Sequence, residues 1–161
     1  MKKIINLVIS IILLISFSSC VGYKPVFDLS SFQYKIENYS IDGDKRLGKQ
    51  IYYQLYNLSK SNSEDSRGID ISINASKSKN ATSKSSDGKV LEYSIDMTTI
   101  VDVKDFLTSK NILTHTFVSS SSYKVQDQYS DTVKLENRII KDLLNNTYKD
   151  LLVKLSERIK K

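Results

Sequence analysis

Between Leu91 and Val103 the chain alternates with almost no interruption. Leu91, Tyr93, Ile95, Met97, Thr99, Val101 and Val103 share one parity, and Glu92, Ser94, Asp96 and Thr98 share the other. Only Ile100 breaks the polar side. Side chains of a strand point alternately to opposite faces, so this pattern demands a long β-strand with one buried and one wet face. Such a strand needs partner strands beside it and an apolar layer over one side. The expected solution is an antiparallel sheet with helices on a single face.

The rest of the chain supplies those elements. Phe32, Tyr34 and Ile36 alternate with polar residues and predict a first strand ending near Ser40. Ile69, Ile71, Ile73 and Ala75 predict a second. Ser76 to Lys89 is rich in Ser and Lys, contains the turn dipeptide Asp87-Gly88, and is expected to be a long hairpin tip. A turn near Thr108 to Asn111 leads to a fourth strand at about Ile112 to Val125. Its polar middle, Ser119 to Ser122, predicts a bulge or an exposed edge.

Leu47, Ile51, Leu55 and Leu58 form a helical stripe, with Asp42 or Asp44 placed to cap its start. Val133, Ile140, Leu144, Leu151, Leu155 and Ile159, with Leu143, Tyr148 and Leu152 beside them, predict one long final helix capped by Ser130 or Asp131. Asp131 and Glu136 early, and Arg158, Lys160 and Lys161 late, suit its macrodipole. With five Gly and one Pro, the chain has few breakers. The expected fold class is α+β: a two-layer sandwich of a mostly antiparallel four-stranded sheet with two helices on one face, in the order β-α-β-β-β-α. Residues 32–161 are expected to form this single domain.

The amino terminus has a different grammar. Lys2 and Lys3 precede an apolar run, Ile4 to Phe17, interrupted only by Asn6, Ser10 and Ser16. The run is about 14 residues, short of the roughly 20 that span a bilayer. Ser18 and Ser19 then lead to Cys20, the single cysteine of the chain. A lone cysteine excludes an internal disulfide and needs another use. Phe17-Ser18-Ser19-Cys20 resembles the lipobox of bacterial lipoproteins. Residues 1–19 are therefore expected to be a signal peptide, Cys20 the lipid attachment point, and residues 20–31 a lipidated tether stiffened by Pro25. Val21 stands where, by analogy with enteric sorting, Asp would favour inner-membrane retention, so the chain is compatible with transfer to the outer membrane.

Little points to catalysis. His115 is the single histidine and has no triad or metal-ligand spacing around it. No second Cys or His exists to complete a zinc site with Cys20, and there is no Gly-rich phosphate loop. Ser119 to Ser122 has no partner base in view. Asp102 and Asp105 read as a strand end. No catalytic residue, metal or cofactor is expected. Formal charge is +6, and removing Lys2 and Lys3 leaves 6 − 2 = +4. That excess is too mild to predict nucleic-acid binding in an exported protein.

Two segments bear a resemblance. Cys20-Val21-Gly22-Tyr23-Lys24-Pro25-Val26-Phe27 resembles the start of mature LptE proteins, the lipopolysaccharide-assembly lipoproteins. Gly88-Lys89-Val90-Leu91-Glu92-Tyr93 resembles the turn and Glu-Tyr that open that family's central strand. The likeness spans the mature chain. It departs at the extra Val21 and at the missing polar tail after the last helix. The resemblance implies a non-enzymatic plug and assembly partner inside an LptD-type outer-membrane β-barrel, binding lipopolysaccharide at the last step of its transport. Lipopolysaccharide phosphates call for cations, and Lys77, Lys79, Lys84 and Lys89 cluster in the second hairpin as candidates. Two alternatives stand beside it. One is an auxiliary lipoprotein of another envelope lipid-transport system of the ABC type. The other is a periplasmic hydrolase, which would need a pocket with activated nucleophile geometry that the sequence does not show.

Overall fold

The computed structural model describes residues 34–59 and 66–159. The expected signal peptide, Cys20, the tether and the strand start at Phe32 lie outside the described residues. The elements are β1 (Tyr34–Gly43), α1 (Lys45–Ser59), β2 (Arg67–Lys84), β3 (Val90–Asp105), β4 (Asn111–Lys124) and α2 (Tyr129–Ile159). The order is the expected one, and the class is α+β.

The four strands lie side by side in the order β1-β2-β3-β4. β2, β3 and β4 pair antiparallel, but β1 pairs with β2 in parallel, so the sheet is mixed. Parallel neighbours cannot be joined by a hairpin and need a crossover. Helix α1 is that crossover. It carries the chain back along the sheet, and its face of Leu47, Ile51, Tyr52 and Leu55 is buried. Asp44 caps it: the Oδ1 accepts the N–H of Arg46 at 3.0 Å and of Leu47 at 3.2 Å. Asp42 belongs to the strand.

Helix α2 has 31 residues and is therefore about 46 Å long. It lies along β4 and β3, while α1 lies along β1 and β2. Ile69, Ile71, Ile73, Ile95, Met97, Val101, Val103 and Phe117 from the sheet meet Leu144, Leu151 and Leu155 of α2 and the α1 stripe in one core. The opposite sheet face carries short polar side chains such as Asn74, Ser78, Asn80 and Ser120, all exposed.

Several local expectations change. Ser76 to Lys84, expected within a long hairpin tip, is paired strand that forms one arm of the projecting hairpin, from Ser76↔Thr98 to Lys84↔Val90. Backbone pairing with β3 sustains it, and a stretch wet on both faces carries no apolar alternation to read. The turn proper is short: Ser85 donates its N–H to the Lys89 carbonyl at 2.8 Å, and Gly88 takes φ +86° within it. Ser119 to Ser122 contains no bulge. The register is regular there, the irregularity falls between Val103 and Lys104, and β4 is simply an edge strand. Ser130 and Asp131 lie inside the first turn of α2 rather than capping it. The buried Thr132 ties the approach instead, its hydroxyl accepting the Gln126 N–H at 2.8 Å.

Gly43 decides where β1 stops. Its φ is +71°, and a Cβ there would stand 2.3 Å from the Ala75 carbonyl oxygen. That oxygen accepts the N–H of Asp44 at 2.7 Å. The chain then leaves the sheet for α1, and among the described residues β2 continues without a strand neighbour on that side.

Candidate functional site

The candidate lysines sit where β2 projects beyond β1. Lys77 and Lys79 lie opposite Met97 and Ile95 and so share the helix-side face of the sheet. Lys84 and Lys89 flank the turn and are exposed. The four are strung along one projecting hairpin, not gathered into one pocket.

Lys79 differs from the rest. Its Nζ lies 2.7 Å from Glu136 Oε2, on α2. The Tyr123 hydroxyl donates to that same oxygen at 2.8 Å. The ammonium also stands over the Tyr93 ring, 4.2 Å from its centre. The Tyr93 and Tyr123 rings are 5.9 Å apart and complete the enclosure. The hydrogen bond to Glu136 pushes the Lys79 ammonium well above its ordinary value, so it stays charged. Burial raises the Glu136 carboxyl, but the bonds from Lys79 and Tyr123, with the charge of Lys77, prevail and hold it below its ordinary value. The side chains are 35% and 20% exposed, which makes the pair a half-buried clasp between sheet and helix. Lys77, Lys84 and Lys89 form no ion pair within 4.0 Å among the described residues.

Two features escaped the sequence reading. The first is a tyrosine cluster on α1. Tyr52 stacks on Tyr39 at 4.1 Å, with Tyr56 at 5.8 Å and Tyr53 at 5.5 Å. The spacing of Tyr52 and Tyr56 was a signal for it. Tyr39 was not, because a register shift between Ile36 and Asn38 turns it to the helix side. The second is a groove of about 480 Å³ between the helices. Buried Leu47, Ile140 and Leu144 form its floor, and Arg46 and Lys141 stand with Gln50, Gln54, Asn137 and Asn145 around it.

His115 makes an edge contact with Phe117, their ring centres 4.7 Å apart. It lines a cleft of about 340 Å³ with Ser119, Thr147, Asp150 and Lys154. Ser119 is four residues further along the same strand, about 13 Å away, so the two form no nucleophile–base pair. Among the described residues no group of three or more His, Cys, Asp or Glu side chains is placed to hold a metal ion. No helix among them is long and apolar enough to cross a membrane.

A mixed four-stranded sheet with two helices on one face and a projecting hairpin is an architecture shared with small bacterial lipoproteins. Rare lipoprotein B from Shewanella oneidensis superposes with a TM-score of 0.54 at 14% identity, covering 74% of this chain and 94% of that one. A lipoprotein B from Nitrosomonas europaea gives 0.57 at 16% identity, over 82% and 88%. A minor lipoprotein from Acinetobacter baumannii gives 0.50 at 13%, over 74% and 90%. No protein-family model matches the chain, and no curated protein matches it. The shared fold is the one that the LptE-like resemblance implies, rare lipoprotein B being an LptE homologue. All three of these neighbours are lipoproteins.

Proposed function

We propose that this chain is a lipid-anchored outer-membrane lipoprotein that acts at the last step of lipopolysaccharide transport. In this reading it plugs and helps assemble an LptD-type barrel, binds lipopolysaccharide, and makes or breaks no bond. The observation that carries the proposal is the fold shared with rare lipoprotein B, joined to a lipobox-like Cys20. A plug in a polar barrel lumen needs a polar exterior, and the uncovered sheet face has one. Lys77, Lys84 and Lys89 present ammonium groups to phosphates, while Lys79 holds the hairpin against α2.

The test is affinity purification of the chain from its own envelope. An LptD-type barrel and lipopolysaccharide should come with it. The triple change Lys77→Gln, Lys84→Gln and Lys89→Gln should lower lipopolysaccharide recovery roughly tenfold while the barrel remains, three screened phosphate contacts being lost. Cys20→Ala should leave the domain folded and, in cells lacking the barrel, release it from the membrane, because the acyl chains would be its attachment. An envelope lipid-transport complex of the ABC type in place of the barrel would overturn the reading.

A further inference from the structure

We propose that the free edge of β2 at Lys77, Lys79 and Ala81 is a strand-addition site for an extended, acidic segment of a partner protein. This inference is independent of the lipopolysaccharide reading.

The phase of the backbone carries the argument. Within a strand, the N–H and C=O of one residue point to the same side, and those of the next residue to the other. Gly68, an even position, gives its carbonyl to Phe106 on the β3 side at 3.0 Å. Ala75, an odd position, gives its carbonyl to Asp44 on the β1 side at 2.7 Å. The odd positions that follow, Lys77, Lys79 and Ala81, therefore direct both backbone groups away from β3. The β1 pairing ends at Gly43↔Ala75, while the β2–β3 pairing runs on regularly to Ala81↔Tyr93. No backbone bond to this edge is present among the described residues.

An alternating row of donors and acceptors is matched by another backbone. A phosphate accepts from the N–H groups only and leaves every carbonyl unmatched, so a lipid headgroup is the poorer occupant. A second copy is poorer still, because antiparallel self-pairing sets Lys77 and Lys79 against each other and like charges across strands repel. Lysine at an open edge guards against indiscriminate pairing. It admits one kind of strand, an acidic one. The surroundings agree: Lys45, Arg46 and Lys49 open α1 just where β1 departs beside Ala75. The carboxylate of Asp44 is engaged in the helix cap, and Lys79 and Glu136 engage each other in the clasp. The cations without an ion pair beside the edge among the described residues are therefore Lys77, Lys45, Arg46 and Lys49, set against the one exposed carboxylate of Asp42 at the end of β1. Outward-facing Ser76, Ser78 and Asn80 are small and leave the edge open to approach.

The experiment is residue-resolved amide exchange on the full-length chain in detergent micelles. In the free chain, the amides of Lys77, Lys79 and Ala81 should exchange fast while those of Ser76, Ser78 and Asn80 are protected. The probe is a short peptide alternating Glu with Thr, with a Lys-for-Glu counterpart as control. The acidic peptide should slow exchange at Lys77, Lys79 and Ala81 by about tenfold or more, and the basic one should not. Ala81→Pro deletes an edge-facing N–H without touching the β3 ladder and should abolish that protection. If this variant fails to fold, exchange in the unaltered chain still decides. Edge amides already protected in the free chain would overturn the proposal. So would equal protection by both peptides, protection by phosphatidylglycerol vesicles in place of the peptide, or protection that grows with protein concentration.

Discussion

Along β2 the helix-facing positions change character at Ala75. Ile69, Ile71, Ile73 and Ala75 are buried; Lys77 is half-buried, and Lys79 and Ala81 are exposed. Both halves share one strand and one continuous partner, β3. What differs is the cover. The first half, the root, lies between β1 and β3 and under α1; the second, the tip, has neither β1 nor α1. Backbone pairing thus sets how far a strand runs, and the layer above it sets which side chains it carries. The root is held by apolar burial, whereas the tip is held by its pairing with β3 and, among the described residues, by the Lys79–Glu136 clasp to α2.

The largest expected effect tests that division directly. Ile73 is fully buried at the root. Ile73→Ala should cost about 3 kcal/mol in urea unfolding, from lost transfer energy and the cavity left behind. Ser78→Ala at the tip should change stability by less than about 0.5 kcal/mol. Comparable losses at the two positions would mean that the tip is covered in solution and would break the comparison.

Gly43 marks the boundary, so altering it asks what keeps β1 from following β2 outward. Gly43→Ala puts a Cβ against the Ala75 carbonyl at an unfavourable φ. The expected cost is about 2 kcal/mol, with faster exchange of the Asp44 amide. A silent substitution would show that the exit of β1 is not anchored at Ala75.

The same division explains what the sequence disclosed. Leu91 to Val103 announced β3, and Ile69 to Ala75 announced the root of β2, because burial on one face writes an alternating pattern. Ser76 to Lys84 was invisible as strand because no apolar layer covers it and so no apolar alternation marks it. The parallel pairing of β1 was equally hidden: Tyr34 and Ile36 show that a strand exists, not its direction beside β2. The site was legible in part. The lysines were visible as a cluster, but Glu136, Tyr93 and Tyr123 are far from Lys79 along the chain, and only the fold brings them to it. Tyr39 eluded the pattern because a shift of register changed its face.

Acid should separate the two regions further. At the root end, Asp105 receives the Thr108 N–H at 2.8 Å and the Arg67 guanidinium at 2.6 Å, and these bonds hold its carboxyl down to about 2. At the tip, Glu136 is held below its ordinary value less deeply. Both carboxyls have depressed folded-state values, so each contribution is complete above the ordinary value and is lost as pH falls through the folded one. The tip contribution should therefore fade below pH 4.5, and that of Asp105 between 3.8 and about 2. On the alkaline side Lys79 is raised, so its own contribution to the clasp persists up to pH 10.5 and is lost above it. Glu136→Ala should cost about 1.5 kcal/mol at neutral pH and nothing in acid, with the loss confined to exchange around Lys79 and Tyr123. A loss that persists unchanged at low pH would assign Glu136 to packing and not to charge.

The smallest effect lies where the two regions meet beneath α2. Thr99 stands across from Ala75, is fully buried, and its hydroxyl has no hydrogen-bond partner among the described residues. A buried hydroxyl left without a partner costs stability, and an isosteric methyl removes that cost. Thr99→Val should raise stability by about 0.5 kcal/mol, read as a higher urea midpoint with an unchanged slope. The gain is small because Val keeps the volume and the β-branch of Thr. A destabilised variant would mean that the hydroxyl is satisfied after all and that the apolar layer ends one row sooner. The boundary between root and tip would then lie at Ile73 and Val101, which face each other across β2 and β3 with both side chains fully buried.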